Sequence, residues 1–226
     1  YGPSPLTATT NASNLTTVGL TRGSEVTQSG SGAARGWGGT GFTSGEATTA
    51  AAANQFATFN IAANNGYKVS FSSVSRFDYR RSGTGPTNGV LQYQIGSGPF
   101  NDITNLNYSS TSSSGGSIGA IDLSGFAALQ IVGAGTNVTF RIVNYGGTSS
   151  GGTWYVFDTA GSSAPDLALS GTVTSVAPFT PVQSWRLQWF GTTNNTGIAA
   201  DTYAGTSDGM PNMLVEPGKF GANDYN

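Results

Sequence analysis

Eleven carboxylates are the acidic groups this sequence offers for chemistry, and they stand apart along the chain: Glu25, Glu46, Asp78, Asp102, Asp122, Asp158, Asp166, Asp201, Asp208, Glu216 and Asp224. Cleaving a glycosidic bond needs two carboxyl groups facing one sugar across roughly 5 to 9.5 Å. No spacing here selects such a pair, and Asp122 and Asp158 read better as residues that end strands through Asx-type turns. The sequence contains neither His nor Cys. That removes imidazole general bases, thiol nucleophiles, Ser-His-Asp triads and zinc sites built on these ligands. The reading is a chain that is not an enzyme and needs no cofactor.

Aromatic side chains offer a second chemistry, because flat rings stack on the C–H faces of sugars. Trp37, within Gly36-Trp37-Gly38-Gly39, reads as a loop residue that could present such a face, and Tyr108 opens the Ser- and Gly-rich loop 108–117. Both are candidate carbohydrate contacts. The competing reading places Trp37 and Trp154 in a core. Arg76, Arg80 and Arg81 interleave with Phe77, Asp78 and Tyr79. The alternation of a strand then puts Phe77 and Tyr79 inside, with the arginines pairing to Asp78 or Asp122 at the rim. Arg141 is expected to hydrogen-bond a loop carbonyl or a carboxylate. Five Asn-x-Ser/Thr sequons, at Asn11, Asn14, Asn107, Asn137 and Asn194, would accept glycans.

The elements that must position these groups are strands. Period-two alternation recurs at Phe56–Ala62, Tyr67–Phe71, Arg76–Arg80, Val90–Ile95, Ala128–Val132, Asn137–Tyr145, Thr153–Asp158 and Leu167–Val173, separated by Gly-, Pro- and Asn-rich turns. Many short strands at such spacing predict an all-β fold, an antiparallel sandwich or jelly roll with extended terminal segments. Two stretches compete for a helix, residues 48–55 and 210–215. The first, around Ala51-Ala52-Ala53, has Gly- and Thr-rich flanks and no long apolar stripe, and reads as a loop or strand entry. The expected organisation is an extended arm at 1–20, a sandwich at 21–176, a Pro-containing linker at 177–184, and an aromatic strand with a polar tail at 185–226. Within that last segment Trp185, Leu187 and Trp189 alternate, with Phe190 beside them, and read as a strand in need of a partner.

Nine basic residues against eleven acidic ones give a net charge of −2. With no basic run to draw phosphate backbones, nucleic acid is not an expected partner. No stretch reaches the roughly 18 to 20 apolar residues of a membrane-spanning helix. Abundant Ser, Thr, Gly and Asn with little Lys and Glu suits an extracellular or cell-surface protein, and the polar start at Tyr1 fits a mature chain whose leader is gone.

Several segments resemble a β-sandwich (jelly-roll-like) domain family of secreted and cell-surface proteins of environmental bacteria, often found beside sorting anchors. They include Leu20-Thr21-Arg22-Gly23-Ser24, Tyr79-Arg80-Arg81-Ser82-Gly83, Thr139-Phe140-Arg141-Ile142 and Asp166-Leu167-Ala168-Leu169-Ser170-Gly171-Thr172-Val173. The resemblance spans about Leu6 to Val173 and implies an extracellular sandwich without a transferable catalytic set. Trp185 to Val215 resembles the Asp- and Gly-containing tail of such proteins, whose oxygen ligands suit calcium. Here Asp201 and Asp208 keep the pattern, while Ala204 and Thr206 interrupt it and Val215 replaces a Glu. Together these features point to a structural protein whose partners are copies of itself. An open sheet would borrow a strand from the next copy, through Trp185–Phe190 or through residues 1–20, and build a filament. The alternative is a glycan-binding or adhesive module of a larger secreted protein.

Overall fold

The computed structural model describes residues 2–28, 35–159, 164–176 and 179–196. The chain divides into two compact units, Tyr1–Ser175 and Val176–Asn226. The first is an all-β sandwich of two packed antiparallel sheets. One sheet has five strands in the order β1 (Leu15–Arg22), β3 (Phe56–Ala63), β10 (Val138–Tyr145), β5 (Asn88–Ile95) and β6 (Asn101–Asn107). The other runs β12 (Leu167–Ser175), β4 (Tyr67–Arg81), β11 (Thr153–Phe157) and β2 (Gly36–Thr40). Three two-residue strands also pair with β4: β7 (Gly116–Ser117), β8 (Ile121–Asp122) and β9 (Val132–Gly133).

Alternation decides which faces meet. On β10, Val138, Phe140 and Ile142 are wholly buried, as their spacing predicts. Phe140 stacks on Phe59 of β3 at 5.2 Å and meets Phe71 of β4 edge-on at 5.3 Å, joining the two sheets. A second knot surrounds Trp154 of β11, whose ring meets Phe42, Phe77 and Tyr108 at 5.9 to 6.3 Å. Aromatic packing of this kind contributes about 0.5–1.5 kcal/mol per pair beyond area burial.

The two strands expected at Tyr67–Phe71 and Arg76–Arg80 are one continuous 15-residue strand, β4. Its ladder with β12 absorbs two irregularities, and at both the extra residue, Ser75 or Ser72, lies on β4. The strand expected at Ala128–Val132 is instead a 3₁₀ turn, Ala127–Leu129, followed by β9. Residues 48–55, read as a loop or strand entry, instead contain all but the first residue of helix α1 (Ala47–Ala52), which buries Ala50 beside β10. Alanine loses no side-chain entropy in a helix, so six residues with one buried side chain suffice here.

The second unit corrects the sequence reading. Trp185, Leu187, Trp189 and Phe190 do not form a strand. They lie on helix α2 (Pro181–Phe190). Thr180 caps it in a capping box, accepting from Gln183 N at 3.2 Å while Gln183 Oε1 accepts from Thr180 N at 2.9 Å. Proline occupies the first turn, and Gly191 ends the helix at φ 68°, donating its N–H to Leu187 O at 3.1 Å. Two satisfied orphan donors and a left-handed C-terminal glycine outweigh a period-two pattern only five residues long. Trp185 then packs edge-on against Phe190 at 5.4 Å.

Candidate functional site

Both candidate carbohydrate contacts are buried. Trp37 is on β2, 3% exposed, and its Nε1 donates to Pro3 O at 2.9 Å. The Arg22 guanidinium covers its ring at 4.5 Å, which leaves no face for a sugar. Tyr108 is fully buried, donating its hydroxyl to Asn144 Oδ1 at 2.7 Å. Burial pushes that phenol well above its ordinary pKa. Of the sequons, Asn11, Asn107, Asn137 and Asn194 are exposed. Asn14 is half-buried with φ 64°, and its carbonyl accepts from Asn64 N. Asp201 and Asp208 lie outside the described residues. Among the described residues no group of three or more acidic side chains could hold a metal ion, and no helix is long and apolar enough to cross a membrane.

The arginine-rich strand is a strut. Phe77 and Tyr79 are buried in the core. Arg76 clasps Asp78 through Nη2 at 2.6 Å and Nε at 2.8 Å, and Thr159 Oγ1 donates to the same carboxylate oxygen at 2.7 Å. Burial acting alone would raise the Asp78 carboxyl, but the hydrogen bonds from Thr159, Arg76 and Ser117 outweigh it and hold the group below its usual value. Asp166 behaves oppositely. Burial, followed by the charges of Asp158 and Asp78, raises it, and its Oδ1 is buried without a hydrogen-bond partner. On the five-stranded sheet Arg141 lies 3.5 Å from the Phe100 centroid and 5.2 Å from that of Phe56. Its Nε donates to Gln92 Oε1 at 2.7 Å, and Gln92 in turn donates to Asp102 at 2.6 Å. The partner of Arg141 is thus a side-chain amide, rather than the loop carbonyl or carboxylate expected from sequence, and the carboxylate is one bond further on. The Arg141 guanidinium thus lies near two aromatic rings, closer to Phe100 than to Phe56.

Four strands, β1, β6, β2 and β12, end the strand orders of the two sheets, and the first three are guarded. The edge strand β1 carries its own bulge, with two residues between Val18 and Thr21 opposite one on β3. Residue Leu6 of the N-terminal arm bridges it through two backbone hydrogen bonds to Leu20. On β6 the extra residue Ile103 lies in the edge strand itself, beside the charged Asp102. The edge of β2 is covered by the Thr27–Thr40 bridge, and Arg22 Nε donates to Gly38 O at 2.7 Å. Bulges, charges and covering segments are the devices that keep sheet edges from pairing with other chains.

β12 has none of them. Its nine residues, Leu-Ala-Leu-Ser-Gly-Thr-Val-Thr-Ser, include no charge and no proline. Among the described residues it pairs only with β4, whose bulges leave β12 itself regular. Beside it opens a cleft of about 790 Å³ between the sheets, lined by Leu15, Leu20, Phe71, Leu167, Leu169 and Val173 among others. The strand was legible in sequence, whereas its place at an edge was not. The available signal was an alternating apolar strand lacking Lys, Glu or Pro.

These features define an all-β antiparallel sandwich in which, among the described residues, the edge of β12 carries no bulge, charge or covering segment. No protein-family model, curated protein or solved structure matches the chain.

Proposed function

We propose that this chain is a non-enzymatic, extracellular structural protein, a subunit of a surface fibre assembled by β-strand addition between neighbouring copies, with the free edge of β12 as the acceptor. One observation carries the reading: a nine-residue, charge-free, regular edge strand lying beside an open apolar cleft. Such an edge presents a row of unpaired N–H and C=O groups that another strand can satisfy. Composition supports the extracellular setting, since the chain is rich in Ser, Thr, Gly and Asn and poor in Lys and Glu.

The donors expected from sequence do not serve in the forms expected. Of residues 1–20, Leu15–Leu20 already lie in β1 and Leu6 bridges Leu20, and Trp185–Phe190 are helical. The donor must therefore be sought in a strand that keeps one edge free. Negative-stain microscopy of the full chain over a rising concentration series tests the reading. Fibres are the expected result, and separate particles of monomer or dimer size throughout would overturn it.

A further inference from the structure

The geometry points to the partner of β12 being β12 itself, from a second copy of this chain, paired antiparallel across a two-fold axis at Gly171. This rests on the strand-addition reading and specifies the contact. Gly171 is the central residue of Leu167–Ser175, so pairing about it sets Leu169 opposite Val173 of the second copy and Leu167 opposite Ser175 of the second copy. Leu167, Leu169 and Val173 are the partly buried residues of β12 that pack against the core. On that face the two-fold therefore creates two Leu–Val pairs, which extend the apolar lining of the two clefts across the junction.

The other face sets Ser170 opposite Thr172 of the second copy and Ala168 opposite Thr174 of the second copy, matching small and hydroxyl side chains without a charge conflict. At the axis glycine faces glycine, so no side chains compete for the shared space. Side-chain pairs directly opposite each other on one face are the unit that stabilises such a ladder. A slip by one residue would move the apolar side chains to the wet face, and a slip by two would set Leu169 opposite Gly171 or Ser175 of the second copy in place of Val173. A two-fold contact is self-complementary and closes. It makes a dimer with one continuous sheet, and fibre growth then needs a second contact elsewhere on the molecule.

The test is sedimentation velocity on the full chain. Wild type should dimerise reversibly. The double substitution Ser170→Lys/Thr172→Lys sets like charges opposite each other twice and should weaken dimerisation at least tenfold. Ser170→Glu/Thr172→Lys sets the introduced glutamate opposite the introduced lysine of the other copy, twice, and should restore dimerisation to near wild type. A monomeric wild type, an unaffected double-lysine variant, or equal weakening by both variants would overturn the proposal. Amide hydrogen exchange on wild type needs no variant: amides of residues 167–175 should slow as concentration rises, and exchange independent of concentration would also overturn it. Dimers that never form fibres would leave the two-fold contact standing and remove the fibre reading. Fibres that persist with the double-lysine variant would do the reverse.

Discussion

Two edges of the sandwich, β1 and β12, flank the same cleft and are built on opposite terms. β1 is bulged, and Leu6 is hydrogen-bonded along it. The arm that carries Leu6 is fastened further by Trp37 Nε1 to Pro3 O at 2.9 Å, Arg22 Nη1 to Gly2 O at 3.2 Å and Arg22 N to Ser4 Oγ at 2.9 Å. β12 is regular and neutral, and among the described residues nothing but β4 pairs with it. The chain thus spends buried side chains and an N-terminal segment on closing one edge while leaving the other open. An edge closed at such expense indicates that exposed edges matter to this molecule, which makes the open one informative.

The contrast breaks most severely at Trp37. Trp37→Ala removes a buried indole, the cation–π contact with Arg22 and the donor to Pro3 O. Denaturant unfolding should show a loss of about 3–5 kcal/mol, and the β1 amides should exchange faster. By comparison Thr172→Lys, at an exposed position of β12, should leave stability within about 0.5 kcal/mol. Equal effects at the two sites would erase the distinction between a fastened and an open edge.

A smaller change should unfasten the arm alone. A Cβ on Gly19 would lie 1.6 Å from the Leu6 carbonyl oxygen, so Gly19→Ala cannot keep the bridge. Losing its two backbone hydrogen bonds should lower stability by about 1–3 kcal/mol. It should also expose a second edge, increasing self-association measured by light scattering. A variant as stable and as dispersed as wild type would show that Leu6 guards nothing.

Much of this architecture can be read from the sequence where period-two alternation coincides with burial, as at Val138, Phe140 and Ile142 or at Phe77 and Tyr79. The rest is hidden for identifiable reasons. Trp37 sits among glycines, which weaken strands and suggest a loop. Yet a Cβ on Gly38 would meet Trp154 O at 2.1 Å, and one on Gly39 would meet Thr27 O at 2.3 Å. Those glycines are present because neighbouring backbones crowd β2, and the crowding buries the indole. In α2 the same aromatics fit two periods. Trp185, Leu187 and Trp189 alternate, but Trp185 and Trp189 are also one helical turn apart, and the decisive signals lay outside the aromatic run, at Thr180, Gln183 and Gly191. Edge status lies further out of reach, because it depends on which strands the topology places beside β12 rather than on β12.

The finest test concerns how β12 is anchored, and it has a sign. Asp166 precedes β12, and its carbonyl accepts from Asp78 N at 2.8 Å, opening the ladder with β4. Its carboxyl is raised by burial and then by Asp158 and Asp78. A raised carboxyl in the folded state means the ionised form is less favourable folded than unfolded. The penalty is present above the raised value and disappears as pH falls below the ordinary Asp value of about 3.9. Asp166→Asn should therefore raise the melting temperature at neutral pH, with the gain vanishing in acid. Asp78, held low by its hydrogen bonds, contributes in the opposite sense: its stabilisation is present above the ordinary value and is lost as pH falls through the lowered one. Asp78→Asn should destabilise at neutral pH and converge on wild type in acid. Thermal melts of both variants at neutral and acidic pH check the pair. An Asp166→Asn protein less stable than wild type at neutral pH would mean that its carboxylate holds β12 on the sheet instead of straining against it.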